Sequence, residues 1–131
     1  MNNRNFTFID LFAGAGGLSE GFVADGGFIP VAHVEMNPYA AMTLKTRTCY
    51  YYLKENNRLD EYRSYQRGEI TRDELFARMP NGMLDTVINK EISDTTTNEI
   101  FGSIDEILEN ANIQNVDIII GGPPCQAYSL I

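Results

Sequence analysis

The stretch Val116-Asp-Ile-Ile-Ile-Gly-Gly-Pro-Pro-Cys-Gln-Ala-Tyr-Ser129 decides how the rest of the chain is read. Val116 to Ile120 is an almost wholly apolar run rich in β-branched side chains, the pattern of a strand buried on both faces. Gly121-Gly122 end the run. Pro123-Pro124 then fix φ and cannot continue a hydrogen-bonded ladder. A stiff turn therefore leaves the end of a strand and presents Cys125. In open α/β sheets, ligands bind beyond the carboxyl ends of the strands, so Cys125 is a candidate nucleophile. A cysteine is more often an apolar filler, but Gly-Gly-Pro-Pro gives up regular structure and gains only positioning.

Upstream, Ile100, Ile104, Ile107, Leu108 and Ala111 keep helical spacing behind a capping box at Thr96-Thr-Asn-Glu99. Residues 86–89 predict a weak third strand, followed by Lys90-Glu91-Ile92. At the other end of the chain, residues 6–12 form a short apolar strand that runs into Ala13-Gly14-Ala15-Gly16-Gly17. An amphipathic helix begins near Leu18, with Leu18 and Phe22 on one face and Gly26-Gly27 as its stop. Residues 28–34 are the second strand, closed by Glu35. Asn37 caps the next helix and Pro38 opens its first turn; that helix runs to about Leu53. Residues 55–85 read as a helical insertion, with Leu59, Tyr62 and Tyr65 on one helix and a capping box at Thr71-Arg-Asp-Glu74 leading into a second. The order βαβα(αα)βαβ predicts an α/β, Rossmann-like parallel sheet of about four strands.

The formal charge is −8, from 10 basic and 18 acidic residues. That balance argues against a large nucleic-acid footprint on this segment. Lys54, Arg58, Arg63, Arg67, Arg72 and Arg78 fall in one middle stretch, but Glu55, Asp60, Glu61, Glu69, Asp73 and Glu74 match them. Solvated helix faces account for this better than a DNA contact. No apolar run is long enough to span a bilayer, and the first residues lack the apolar core of a signal peptide. Cys49 and Cys125 show no metal-binding spacing, which predicts no metal site and fits a reducing cytoplasm. His33, the one histidine, sits within an apolar strand and reads as a structural or edge residue.

A strand, a glycine turn and a helix make a place where backbone N–H groups and the positive end of a helix meet a ligand. Glu35 follows Gly17 by 18 residues, about the distance at which an acid bonds ribose hydroxyls in nucleotide-binding units. The dinucleotide pattern G-x-G-x-x-G would need a glycine where Ser19 stands, which weakens an NAD or FAD reading without removing it. Together, Asp10-Leu-Phe-Ala-Gly-Ala-Gly-Gly17, Glu35 and Gly122-Pro-Pro-Cys-Gln-Ala-Tyr-Ser129 resemble the cytosine carbon-5 DNA methyltransferases. The resemblance covers both ends of the chain and skips the insertion. It implies an S-adenosylmethionine-dependent methyltransferase fold, with Phe12, Ala13, Gly14, Gly16, Gly17 and Leu18 around the cofactor. It further implies Glu35 on the ribose, Met36 beside the adenine, and Phe12 and Pro124 flanking the cofactor. Glu91-Ile92 best fits the adenine-amino contact, with Asp94 and Ser103-Ile104 as competing assignments. Cys125 would be the thiolate that adds to cytosine carbon 6, with the base flipped out of double-stranded DNA.

The family's later elements, a further acid, an Arg-x-Arg and a target-recognition domain, have no counterpart within these residues. The expectation is therefore an N-terminal piece of a DNA (cytosine-5-)-methyltransferase, partial in its catalytic domain and inactive alone. The strand 116–120 would be left as an unpaired apolar edge, which predicts a homodimer across it. A Rossmann-type nucleotide binder and a non-catalytic oligomerising fragment are the competing readings.

Overall fold

The computed structural model describes residues 4–124. It runs β1 (Phe6–Leu11), α1 (Gly17–Asp25), β2 (Phe28–Val34), α2 (Pro38–Glu55), α3 (Leu59–Gln66) and α4 (Arg72–Ala77). A 3₁₀ turn (Met83–Thr86), β3 (Val87–Ile88), α5 (Thr97–Asn110) and β4 (Ile118–Gly121) follow. All strand pairs are parallel, in the order β3-β2-β1-β4. The four-stranded parallel α/β sheet is the one expected from the sequence, although β3 contributes only two paired residues, Val87 and Ile88.

Helices cover both faces, and strand alternation assigns the residues to them. Val87 joins Ala13, Ala41 and Leu44 beneath α2. The next residue, Ile88, joins Ile9, Ala32, Val34, Ile100 and Ile104 beneath α5. On the α1 side Phe22 packs on Phe8 and Phe28, with ring centroids 5.4 and 5.1 Å apart. The helical apolar pattern of α5 is thus realised at Ile100 and Ile104, with Ile107 and Leu108 half-buried against the same core, while Ala111 caps the helix in solvent.

Local signals acted where they were satisfied locally. The Asn37 side-chain Oδ1 accepts from Tyr39 N (2.9 Å) and Ala40 N (3.1 Å), with Pro38 in the first turn. Gly26 ends α1 in the left-handed conformation. The Thr71–Glu74 capping box forms in both directions. The second box does not form. The Thr96 hydroxyl donates instead to Glu91 O (2.5 Å), and Glu99 pairs with Lys90 Nζ at 2.7 Å. A side chain that can serve a neighbouring turn has no need to cap its own helix.

Helices α3 and α4 build a small core with the second half of α2 around Cys49, Leu53, Leu75 and Met79. Four of the arginines there are already paired: Arg58 with Glu61 (2.5 Å), Arg63 with Asp60 (2.9 Å), Arg67 with Glu69 (2.6 Å) and Arg78 with Glu61 (3.4 Å). Such surface pairs add little stability, but they use up the positive charge that a DNA contact would need.

Two sequence expectations are corrected by the packing. The strand whose composition reads as buried on both faces is the outer strand of the sheet among the described residues, in line with the unpaired edge expected there, and Ile119 is 67% exposed. An apolar β-branched run sets strand propensity, whereas burial depends on what lies beside the strand. In α1, Leu18 faces solvent; Ser19 is buried, and Phe22 stacks inward on the aromatic pair.

Candidate functional site

Strand register places one row of residues across the carboxyl end of the sheet: Ile88, Val34, Leu11 and Gly121 are paired neighbours. The residues one step further along each strand are therefore Asn89, Glu35, Phe12 and Gly122, so four chain segments leave the sheet side by side. β1 and β4 are adjacent and parallel, so the glycine turn and the Gly-Gly-Pro-Pro segment emerge at the same end. Close approach requires a glycine at 121, where a Cβ would stand 2.6 Å from Leu11 O.

The turn after β1 is held open by unusual backbone. Phe12 has φ 56°, a left-handed conformation that costs a bulky residue about 1–2 kcal/mol. Its ring stays 38% exposed rather than joining the core. Ala13 is buried, its N–H donating to Val34 O (3.0 Å), and Gly16 N returns to Ala13 O (3.0 Å). Gly16 combines φ 88° with a Cβ position 2.9 Å from Leu44 Cδ2, so no other residue fits without strain. Gly14 and Gly17 instead border open space, with no side chain to fill it. α1 starts directly after the turn, and Leu18 stands exposed in its first turn.

Glu35 joins this turn to the next. Its carboxylate accepts from Gly14 N (2.6 Å) through one oxygen and from Asn37 N (2.8 Å) through the other. Met36 is exposed beside it. Of the residues that competed for the adenine contact, Glu91 is exposed three residues beyond β3, and Asp94 lies in the turn before α5. Ser103 lies well within α5, its hydroxyl donating to Glu99 O (3.1 Å). Ile92 is half-buried and packs on the α5 core instead of standing free in the cleft. Pro124 is exposed at the end of the described segment. Cys125, the candidate nucleophile, lies outside the described residues.

Three buried polar groups beneath the turn were not singled out by sequence reading as a unit. Asp10 is fully buried, and neither carboxylate oxygen has a hydrogen-bond partner among the described residues. His33, its register partner on β2, is buried on an interior strand, which settles it as a structural residue. Its Nε2 lies 3.2 Å from the Ser19 hydroxyl, which also donates to Gly16 O (3.2 Å). Ser19, standing where a dinucleotide loop has glycine, is accommodated by these contacts.

Burial pushes the Asp10 carboxyl up from 3.8 to about 6, opposed by the nearby Ser19 hydroxyl, which lies outside hydrogen-bond geometry, and reinforced by the Glu35 charge. Burial pulls His33 down from 6.5 to about 4. Each shift favours the neutral form. The Asp10 contribution to stability is full below its ordinary value and is lost as pH rises through about 6. The His33 contribution is full above its ordinary value and is lost as pH falls through about 4. Acidification therefore gains on Asp10 what it loses on His33. In Asp10→Asn only the loss remains. From about pH 7.5 to about pH 4.5 that variant should lose about 2 kcal/mol more stability than the native chain. Denaturant unfolding at several pH values measures this, and parallel profiles would refute the buried, partnerless state of Asp10.

A glycine turn after the first strand, an acid closing the second and strand order 3-2-1-4 define a Rossmann-like methyltransferase sheet. The chain belongs to the C-5 cytosine-specific DNA methylase family, whose sequence model matches residues 6–79 and 86–131. The matched segments take in α3 and α4 and leave out residues 1–5 and the residues between Met79 and Thr86. The type II methyltransferase M.Bpa9945I of Bacillus paralicheniformis is 39% identical over 94% of this chain and 31% of its own length. M1.HphI of Haemophilus parahaemolyticus is 30% identical over 96% of this chain and 23% of its own. M.AquIA of Picosynechococcus is 31% identical over 93% and 33%. The chain thus spans between 23% and 33% of the length of these curated relatives. No solved structure gave a significant match.

Proposed function

We propose that this chain supplies the S-adenosylmethionine half of the active site of a DNA (cytosine-5-)-methyltransferase. The observation that carries the reading is the pairing of β1 with β4, which brings the glycine turn and the Pro-Pro segment out at one end of the sheet. The absence of side chains at Gly14 and Gly17, each beside open space, fits the close approach of a ligand to this turn. Glu35 would accept from the ribose hydroxyls, and Met36 would lie on the adenine. Glu91 is the acid proposed for the adenine amino group. Phe12 and Pro124 would flank the bound molecule. When bound, the sulfonium supplies the methyl group.

The chain's own chemistry rests on Cys125. Cytosine carbon 5 is a poor nucleophile. A thiolate adding to carbon 6 places electron density on carbon 5, which can then be alkylated. Loss of the carbon 5 proton and expulsion of the thiolate restore the ring. The reacting base must leave the duplex to reach the sulfur. The acidic charge and the paired arginines of α3 and α4 argue that DNA is held by other parts of the protein.

Calorimetry with S-adenosylhomocysteine and, separately, NAD tests the cofactor. Heat of binding is expected for S-adenosylhomocysteine and none for NAD. Binding of NAD alone would replace this reading with a dinucleotide-binding one.

A further inference from the structure

We propose that Asn89 is a positioning residue of the cofactor site, acting through Glu35; this rests on the reading of that end of the sheet as the cofactor pocket. Asn89 follows the last residue of β3 and is exposed, so it has no core to fill. Its side-chain nitrogen donates to two successive backbone carbonyls, Glu35 O at 2.8 Å and Met36 O at 3.0 Å. Both neighbours are acceptors, so the amide nitrogen and not the oxygen must face them. The contact crosses from the third strand to the junction of β2 and α2.

The same junction is held on every other side. Glu35 N donates to Ile88 O (3.0 Å), and the carboxylate takes Gly14 N and Asn37 N. Asn37 in turn caps α2. Asn89 therefore closes a chain of hydrogen bonds from β3 through Glu35 to the glycine turn of β1. Each Glu35 oxygen keeps a free lone pair after its backbone bond, so the carboxylate can be held in place and still accept from a ligand hydroxyl. Without Asn89 the Glu35 and Met36 carbonyls lose their shared anchor, and the carboxylate is held less firmly by the bonds that remain. An aspartate at the same place would set its own oxygens against two carbonyls and repel them.

The test uses the full 131-residue chain as Asn89→Ala and Asn89→Asp. Amide hydrogen exchange, read without ligand, should speed up severalfold at Gly14 and Asn37 and stay unchanged at Ile9 and Ala32. The affinity for S-adenosylhomocysteine should fall about tenfold in Asn89→Ala, and further in Asn89→Asp. In a Glu35→Gln background, Asn89→Ala should then add less than about a twofold further loss, because both act through one carboxylate. Unchanged exchange at Gly14 and Asn37, or fully additive losses in the double variant, would overturn the proposal. A native chain that binds no S-adenosylhomocysteine would sink the cofactor reading instead, and the exchange measurement would still decide the role of Asn89.

Discussion

Glu35→Ala is expected to weaken S-adenosylhomocysteine binding by about a hundredfold, the largest effect of any described residue. The substitution takes away charge-assisted hydrogen bonds, each worth about 1.5–3 kcal/mol, and two of them account for that factor. It also releases Gly14 N and Asn37 N, the two donors that fix the turn and the start of α2. Glu35→Gln keeps an acceptor at one position and should fall between the native chain and the alanine variant. Calorimetry reads both, with thermal unfolding as a control for the fold. An affinity within about twofold of native in Glu35→Ala would remove Glu35 from the binding site and leave it a purely structural brace.

The second large effect concerns catalysis in a longer protein that carries this chain. Cys125→Ser should abolish methyl transfer to cytosine, by more than about a thousandfold, while S-adenosylhomocysteine binding persists. A serine hydroxyl is close in size to a thiol but is scarcely ionised near neutral pH, so the attack on carbon 6 has no nucleophile. The pairing of Leu11 with Gly121 supports this assignment indirectly, since it sends the Gly-Gly-Pro-Pro segment out beside the glycine turn. Transfer of radiolabelled methyl to DNA is the readout. Retained transfer in the serine variant would take Cys125 out of the mechanism.

Much of the local structure around the candidate site is legible in the sequence. The glycine turn, Glu35 and the Asn37 cap all carry local chemical necessity. A left-handed turn selects glycine at 16, and an exposed helix start selects an oxygen acceptor at 37. Each of these is a demand on one residue and its near neighbours. The Thr96–Glu99 box failed for the complementary reason: Thr96 found a better partner at Glu91 O, across a turn that sequence spacing does not reveal. Glu35 was found as an acid at the right distance, but its bond to Gly14 N was not. That bond exists only because β1 and β2 are neighbours.

What the sequence determined by itself is the order of strands, turns and helices and the residues at their ends. Those follow from backbone conformation and side-chain periodicity, which act over a few residues. Tertiary structure alone decided that Asp10 would be buried without a partner and that Asn89 would reach Glu35. Each of those depends on which strand lies beside which, and strand neighbourhood is set by packing between segments far apart in the chain.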